Sequence, residues 1–189
     1  MKLASLVFVT SNLGKLREAQ DVLGVTLEHQ ALDLVEIQSL ELKEIVRDKA
    51  RRAYERVRRP VLVEDTSLEL AGMRGFPGPL IRWMLVSVGP AGIARLAHAF
   101  ADPRAIVRCM ACAFDGHDEV FGSGVIRGMI AETPRGRRGF GWDSVFIPDG
   151  GGGRTYGEMT PAEKNAISHR RRALEALKEA LAESPFSSR

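Results

Sequence analysis

Between Arg138 and Arg172 the chain crowds Phe140, Gly141, Trp142, Asp143, Lys164, His169 and Arg170 around glycine-rich turns. Gly139 and Gly141 lack side chains, so a backbone there can approach a ligand closely, and the rings of Phe140 and Trp142 can stack on a base. Lys164 supplies a compact charge for phosphate, and Arg170 a planar fork of donors for oxygen acceptors. Together these groups suit a nucleotide. His169 could serve as a metal ligand, a general acid or a donor to a base; no second histidine stands at ligand spacing, which argues against zinc.

A second group opens the chain. Thr10, Ser11, Asn12, Leu13, Gly14 and Lys15 join a first strand to a first helix, where backbone donors and the positive end of the helix dipole attract phosphate. Asn12 can cap that helix and Lys15 can reach a phosphate oxygen. An ordinary N-cap beside a solvated lysine fits the same residues equally well. Glu64 and Asp65 end the run Val61-Leu62-Val63, and ligands of open α/β sheets bind at the carboxyl ends of strands. Strand alternation aims only one of the two into such a site, while a helix cap or surface acids remain open for both. If phosphates bind at Thr10 to Lys15, a nearby carboxylate would be needed to hold Mg²⁺, which binds through one or two carboxylates plus substrate phosphates. Lys49 falls within the apolar stripe of its helix, where either an acidic partner should meet it or its stem snorkels along the surface.

The elements that must position these groups can be read from periodicity. Lys2 to Thr10 predicts a buried strand, and Leu13 to Leu23 a helix stopped by Gly24. Val25 to Leu34 predicts a second strand. Glu41 to Arg59 predicts a helix with Leu42, Ile45, Val46, Ala50, Ala53 and Val57 inward, and with Asp48-Arg52 and Glu55-Arg59 as surface pairs. The segment from Gly72 to Pro79 reads as an irregular loop. Leu80 to Val88 and Ala91 to Ala101 read as helices, with Trp83 assigned to packing. Arg104 to Phe114 and Glu119 to Ile130 read as strands of a hairpin turning at Asp115-Gly116. Asp143 to Ile147 predicts a further strand. Thr160-Pro161-Ala162-Glu163 has capping-box spacing ahead of a C-terminal helix that frays into residues 184–189. Cys109 and Cys112 form a C-x-x-C within a strand, where positions three apart face opposite ways, so two buried structural thiols are expected.

Bulk composition sets bounds. With 189 residues, 44% hydrophobic and 27% charged, the chain is sized for one globular domain, or one domain of two lobes. A net charge of +3 suits anionic ligands without the dense basic face of a nucleic-acid binder. No apolar run approaches the roughly 20 residues that cross a bilayer, so a cytoplasmic protein without a membrane partner is expected. A competing class, an RNA- or nucleotide-binding module built on Arg135, Arg137, Arg138 and Arg170 to Arg172, predicts salt-dependent binding to RNA. The acids at Glu64 and Asp65 oppose it.

Taken together, residues 10–15, LVEDTSLEL from Leu62, GFPGPLIRW from Gly75, RGFGWDSVFIPDG from Arg138 and EMTPAEKNAISHR from Glu158 resemble, in order and over nearly the whole chain, the inosine triphosphate pyrophosphatase family. The resemblance implies hydrolysis of a deaminated purine nucleoside triphosphate (ITP, dITP or XTP) between the α and β phosphates with Mg²⁺, by a homodimer. It implies an α/β fold, a mixed twisted sheet flanked by helices, with residues 1–189 forming one domain of two lobes around a central nucleotide cleft. Position by position, Thr10 to Lys15 and Lys49 would hold phosphates. Glu36 and Asp65 would bind the metal, with Asp65 also activating water and Glu64 a possible supporting ligand. Thr66 would touch substrate where many members carry serine. Phe140, Gly141, Trp142 and Asp143 would contact sugar and base, Trp142 replacing a common tyrosine. Lys164, His169 and Arg170 would complete the site.

Overall fold

The computed structural model describes residues 1–183; the fraying expected for 184–189 lies outside them. In chain order the strands are β1 (Val7–Val9), β2 (Glu28–Gln30), β3 (Val61–Leu70), β4 (Pro77–Gly78), β5 (Arg104–Phe114), β6 (Glu119–Ile130) and β7 (Phe146–Pro148). The helices are α1 (Leu13–Leu23), α2 (Leu42–Val57), α3 (Ile81–Ala99), α4 (Pro161–Ile167) and α5 (His169–Glu183). The strands form one mixed sheet in the order β2-β1-β3-β5-β6-β7, with β4 paired to β3. β1 runs parallel to both β2 and β3, whereas β4 on β3 and β7 on β6 are antiparallel.

The chain divides into two compact units. The first comprises Met1–Asp65, Cys109–Gly124 and the chain from Arg170 onward; the second comprises Thr66–Arg108 and Val125–His169. In the first unit strand alternation sorts the core into two layers. Leu6, Phe8, Leu62, Ala111 and Ala113 pack with Ala19 and Leu23 of α1 and Leu174, Leu177 and Leu181 of α5. Val7, Val9, Val61, Val63 and Cys112 pack instead with Val46, Ala50 and Ala53 of α2. In the second unit Leu68 and Leu70 of β3 join Ile81, Ile93 and Ala97 of α3 and Phe146, Tyr156 and Met159.

Several boundaries differ from those the sequence suggests. The first strand is shorter, because Leu3–Ser5 form a 3-10 turn before it. β2 shrinks to three residues. β3 does not stop at Glu64 and Asp65; both lie in mid-strand. Part of the reason is β4: the loop expected at 72–79 itself pairs with β3, Leu68 opposite Gly78 and Glu69 opposite Pro77. β7 starts at Phe146 instead of Asp143. α3 is broken at Gly89 (φ 65, ψ 178) ahead of Pro90, matching the two helices expected. The C-terminal helix is likewise two helices, parted at Ser168 (φ −79, ψ 152).

Side chains also depart from expectation. Trp83 is 60% exposed, with the Arg82 guanidinium over its ring; α3 turns Ile81 and Ile93 inward and leaves Trp83 outside. The Asp48–Arg52 pair forms at 2.6 Å. Glu55–Arg59 is replaced by an Arg59–Glu28 fork at 2.7 Å, because α2 ends at Val57 and Arg58 turns left-handed.

Candidate active site

The residues singled out from the sequence fall into two sets, one in each unit. In the first unit, β1 ends at Val9 and the chain turns directly into α1. Asn12 Oδ1 accepts from Gly14 N (2.9 Å) and Lys15 N (3.2 Å), and Thr10 Oγ1 accepts from Asn12 N (3.1 Å). The turn thus fixes Lys15 on the first turn of α1, with Ser11 and Leu13 exposed. Glu64 continues the layer defined by Leu62, the one that α1 and α5 cover, so its carboxylate meets side chains from those helices. Lys15 Nζ lies 2.6 Å from Glu64 Oε1 and 3.7 Å from Asp65 Oδ1. Alternation suggested that only one of the two acids would serve the site, yet Lys15 reaches both.

The other oxygen of Glu64 accepts from Arg170 Nε (3.2 Å) and from Cys109 Sγ (3.2 Å). Arg170 Nη1 also donates to Glu18. Arg170 and Glu64 are each 2% exposed. Burial alone would raise the Glu64 carboxyl, but Arg170 and Lys15 overcome it and hold the group well below the usual carboxylate range. Burial likewise works against a charged Lys15, and Glu64 and Asp65 outweigh it, raising its pKa. Five charges, two positive and three negative, are therefore packed around β3. Of the two readings of Lys49, an acidic partner or a snorkelling stem, the structure shows the partner: Lys49 meets Glu36 at 2.6 Å. Glu36 is thus engaged by Lys49.

Asp65 is the more open of the adjacent acids, its side chain 19% exposed against 1% for Glu64, and carboxylate oxygens are the ligand type that a hard cation such as Mg²⁺ takes from a protein. Among the described residues no group of three or more His, Cys, Asp or Glu side chains is gathered to hold a metal.

In the second unit, left-handed glycines at 139 (φ 76) and 141 (φ 63) bracket Phe140. Gly139 is required: a Cβ there would stand 2.1 Å from Asp143 Oδ2. That oxygen accepts from Phe140 N at 2.8 Å and from Lys164 Nζ at 2.5 Å, so buried Asp143 ties the glycine turn to α4. Lys164 Nζ also lies over the Phe140 ring (4.6 Å) and the Tyr156 ring (5.3 Å). α4 starts with the expected capping box, Thr160 N donating to Glu163 Oε2 (2.8 Å) and Glu163 N to Thr160 Oγ1 (3.3 Å). Trp142 is less of a free loop aromatic than its glycine neighbours suggest. It is half-buried against Phe146 (5.8 Å, edge-on) and His169 (5.6 Å, tilted 35°). Thr66 is buried in β3 next to Asp65.

Sequence reasoning missed three participants. Glu18 lies one helical turn after Lys15, beside buried Ala19; that spacing was the available signal. Tyr156, fully buried between Phe146 and His169, follows the glycine run with no pattern to mark it. Cys109 was expected to be buried and is, but its contact with Glu64 depends on strand order, which the sequence does not display. Arg171, by contrast, is a surface residue paired with Glu175 at 2.8 Å, and Arg172 is exposed.

A profile of the Ham1 family matches residues 6–180. Among curated sequences, an inosine triphosphate pyrophosphatase 2 of Trypanosoma cruzi is 47% identical over 92% of this chain and 90% of its own length. An inosine triphosphate pyrophosphatase of Phaeosphaeria nodorum is 44% identical over 95% of each. Among solved structures, a HAM1 protein from Coxiella burnetii superposes with a TM-score of 0.79 at 30% identity, covering 95% of this chain and all of that one. A nucleoside-triphosphatase / dITP/XTP pyrophosphatase from Mycobacterium abscessus superposes with a TM-score of 0.68 at 28% identity, over 90% and 97%. No helix among the described residues is long and apolar enough to cross a membrane.

Proposed function

The chain belongs to the Ham1 family, and from that premise we propose that it hydrolyses the deaminated purine nucleoside triphosphates ITP, dITP and XTP to the monophosphate and pyrophosphate. The observation that carries this reading is the placement of Lys15, on the capped first turn of α1, against the adjacent carboxylates Glu64 and Asp65. A cation beside two acids at a helix N-terminus is what a phosphate–metal centre needs and what a simple RNA-binding face does not.

In this reading Thr10 to Lys15 receive phosphate through the helix dipole and the Lys15 charge, with Lys49 adding a second cation. Asp65 and Glu36 would hold Mg²⁺, which would supply charge neutralisation at the phosphate oxygens. Because phosphoryl transfer asks mainly for positioning and charge neutralisation, Asp65 orients the attacking water and accepts its proton, while Lys15 and Lys49 stabilise the charge that develops. Thr66 adjoins Asp65 as a further substrate contact.

Phe140, Gly141, Trp142 and Asp143, with Lys164 and His169, receive sugar and base. The 6-oxo group of hypoxanthine or xanthine accepts a hydrogen bond where adenine presents a donor. A donor from Arg170 or from a backbone amide would be satisfied by the first and opposed by the second, a difference that a dry site amplifies. The proposal extends to a homodimer acting in the cytoplasm on free nucleotides, without nucleic acid or membrane as partner. The test is Asp65→Asn: pyrophosphate release from ITP should fall at least about a hundredfold with folding intact. An undiminished rate refutes the assigned chemistry.

A further inference from the structure

The acid that Lys15 meets is not held by cations alone. Glu64 stands in the layer of β3 that α1 and α5 cover, and Cys109 occupies the matching layer of β5, with Ala111 and Ala113 following it at the strand period. The two carboxylate oxygens are used differently. Oε1 lies 2.6 Å from Lys15 Nζ, while Oε2 accepts from both Arg170 Nε and Cys109 Sγ at 3.2 Å. Two donors from two different elements converge on a single oxygen, so the carboxylate is anchored on one side and its other oxygen is directed at Lys15.

A thiol is a weak donor, but a charged acceptor away from water strengthens it. Cys109 is buried together with Glu64, away from solvent that would compete for the contact. The other cysteine shows the contrast: Cys112, on the α2 side of the sheet, donates to a neutral acceptor, the carbonyl of Ala113, at 3.6 Å.

We propose that Cys109 is a positioning residue for the hydrolytic reaction: its S–H, donated to Glu64 Oε2, fixes the Glu64 carboxylate and thereby the place of Lys15 beside Asp65. This rests on the proposed pyrophosphatase function, with Lys15 as a phosphate-binding cation. Cys109 touches no substrate in this account. Its effect passes entirely through Glu64, so the hydroxyl of serine, a donor of similar placement, should replace it and an aliphatic side chain of similar size should not.

Two measurements on the whole protein test this. First, Cys109→Ala and Cys109→Ser are compared for pyrophosphate release from ITP with Mg²⁺. Loss of one hydrogen bond to a charged group predicts a fall in kcat of about tenfold for Cys109→Ala, with KM changed less than about threefold. Cys109→Ser should stay within about threefold of the parent. Equal losses in both variants, or none in Cys109→Ala, overturn the proposal.

Second, infrared spectra are recorded on Cys112→Ala, whose one remaining S–H stretch belongs to Cys109. That band should lie at the low frequency of a hydrogen-bonded thiol and move upward when Glu64→Gln is added. A free-thiol frequency that Glu64→Gln leaves in place overturns the proposal whether or not the protein is active. Absence of ITP hydrolysis by the parent protein would instead count against the proposed function, leaving the infrared result to judge the Cys109–Glu64 contact separately.

Discussion

Lys164 Nζ stands 2.5 Å from Asp143 Oδ2, with both side chains about 95% buried. The pair joins the first turns of α4 to the glycine turn that carries Phe140 and Trp142, so one contact sets both a cation and two aromatic rings. Lys164 depends in turn on the Thr160 capping box for the start of its helix.

Breaking that pair from one side leaves an uncompensated buried charge. Lys164→Met should therefore cost about 3 kcal/mol in urea denaturation and raise KM for ITP. Adding Asp143→Asn, which removes the stranded charge but keeps an acceptor for Phe140 N, should recover part of the stability. Simple additivity of the two losses would show that the pair is not coupled.

The Lys15–Glu64 pair predicts a defined pH response. Glu64 is held below its ordinary pKa of 4.5, so as pH falls the unfolded chain takes up the proton first. The stabilisation is complete above about pH 5 and is lost as pH drops through 4.5 toward the folded value. Lys15 is raised above 10.5, so its share is complete below that pH and is lost as pH rises through the folded value. Urea midpoints measured without nucleotide or metal should show both limbs. Glu64→Gln should flatten the acid limb, and an unchanged acid slope in that variant contradicts the assignment.

How much of this was legible in the residues depended on whether a feature is local. The Asn12 cap, the Gly24 stop, the hairpin turning at Asp115-Gly116 and the Thr160 capping box are short-range, and each appears where spacing placed it. The order of the site blocks along the chain was also legible through their resemblance to a family. Sheet order was not: that Cys109 of β5 comes to lie against Glu64 of β3, forty-five residues away, follows from a long-range pairing that periodicity does not encode. Trp83 misled because an aromatic at helical spacing signals a buried face, while the first half of α3 turns Ile81, Met84 and Leu85 to the core.

Trp83 and Trp142 should consequently respond in opposite ways to truncation. Trp83→Ser, at an exposed position, should change stability by no more than about 0.5 kcal/mol. Trp142→Ala removes a ring packed on Phe146 and His169 and should cost about 3 kcal/mol. Thermal or urea unfolding of the two variants compares them directly, and equal losses would contradict the packing described.

Glu36 is paired with Lys49, and the proposed function gives it to Mg²⁺. Glu36→Gln should raise the Mg²⁺ concentration for half-maximal hydrolysis at least about tenfold, with the fold retained in circular dichroism. An unchanged Mg²⁺ dependence would remove Glu36 from the metal site and leave it as a partner of Lys49 alone.

The most direct test of the central claim is a side-by-side assay of ITP and ATP with Mg²⁺, following the nucleotide product and both forms of released phosphate. The account predicts IMP and pyrophosphate from ITP, with kcat/KM at least about a hundredfold above that for ATP. Orthophosphate with IDP, or equal rates on the two nucleotides, would contradict it.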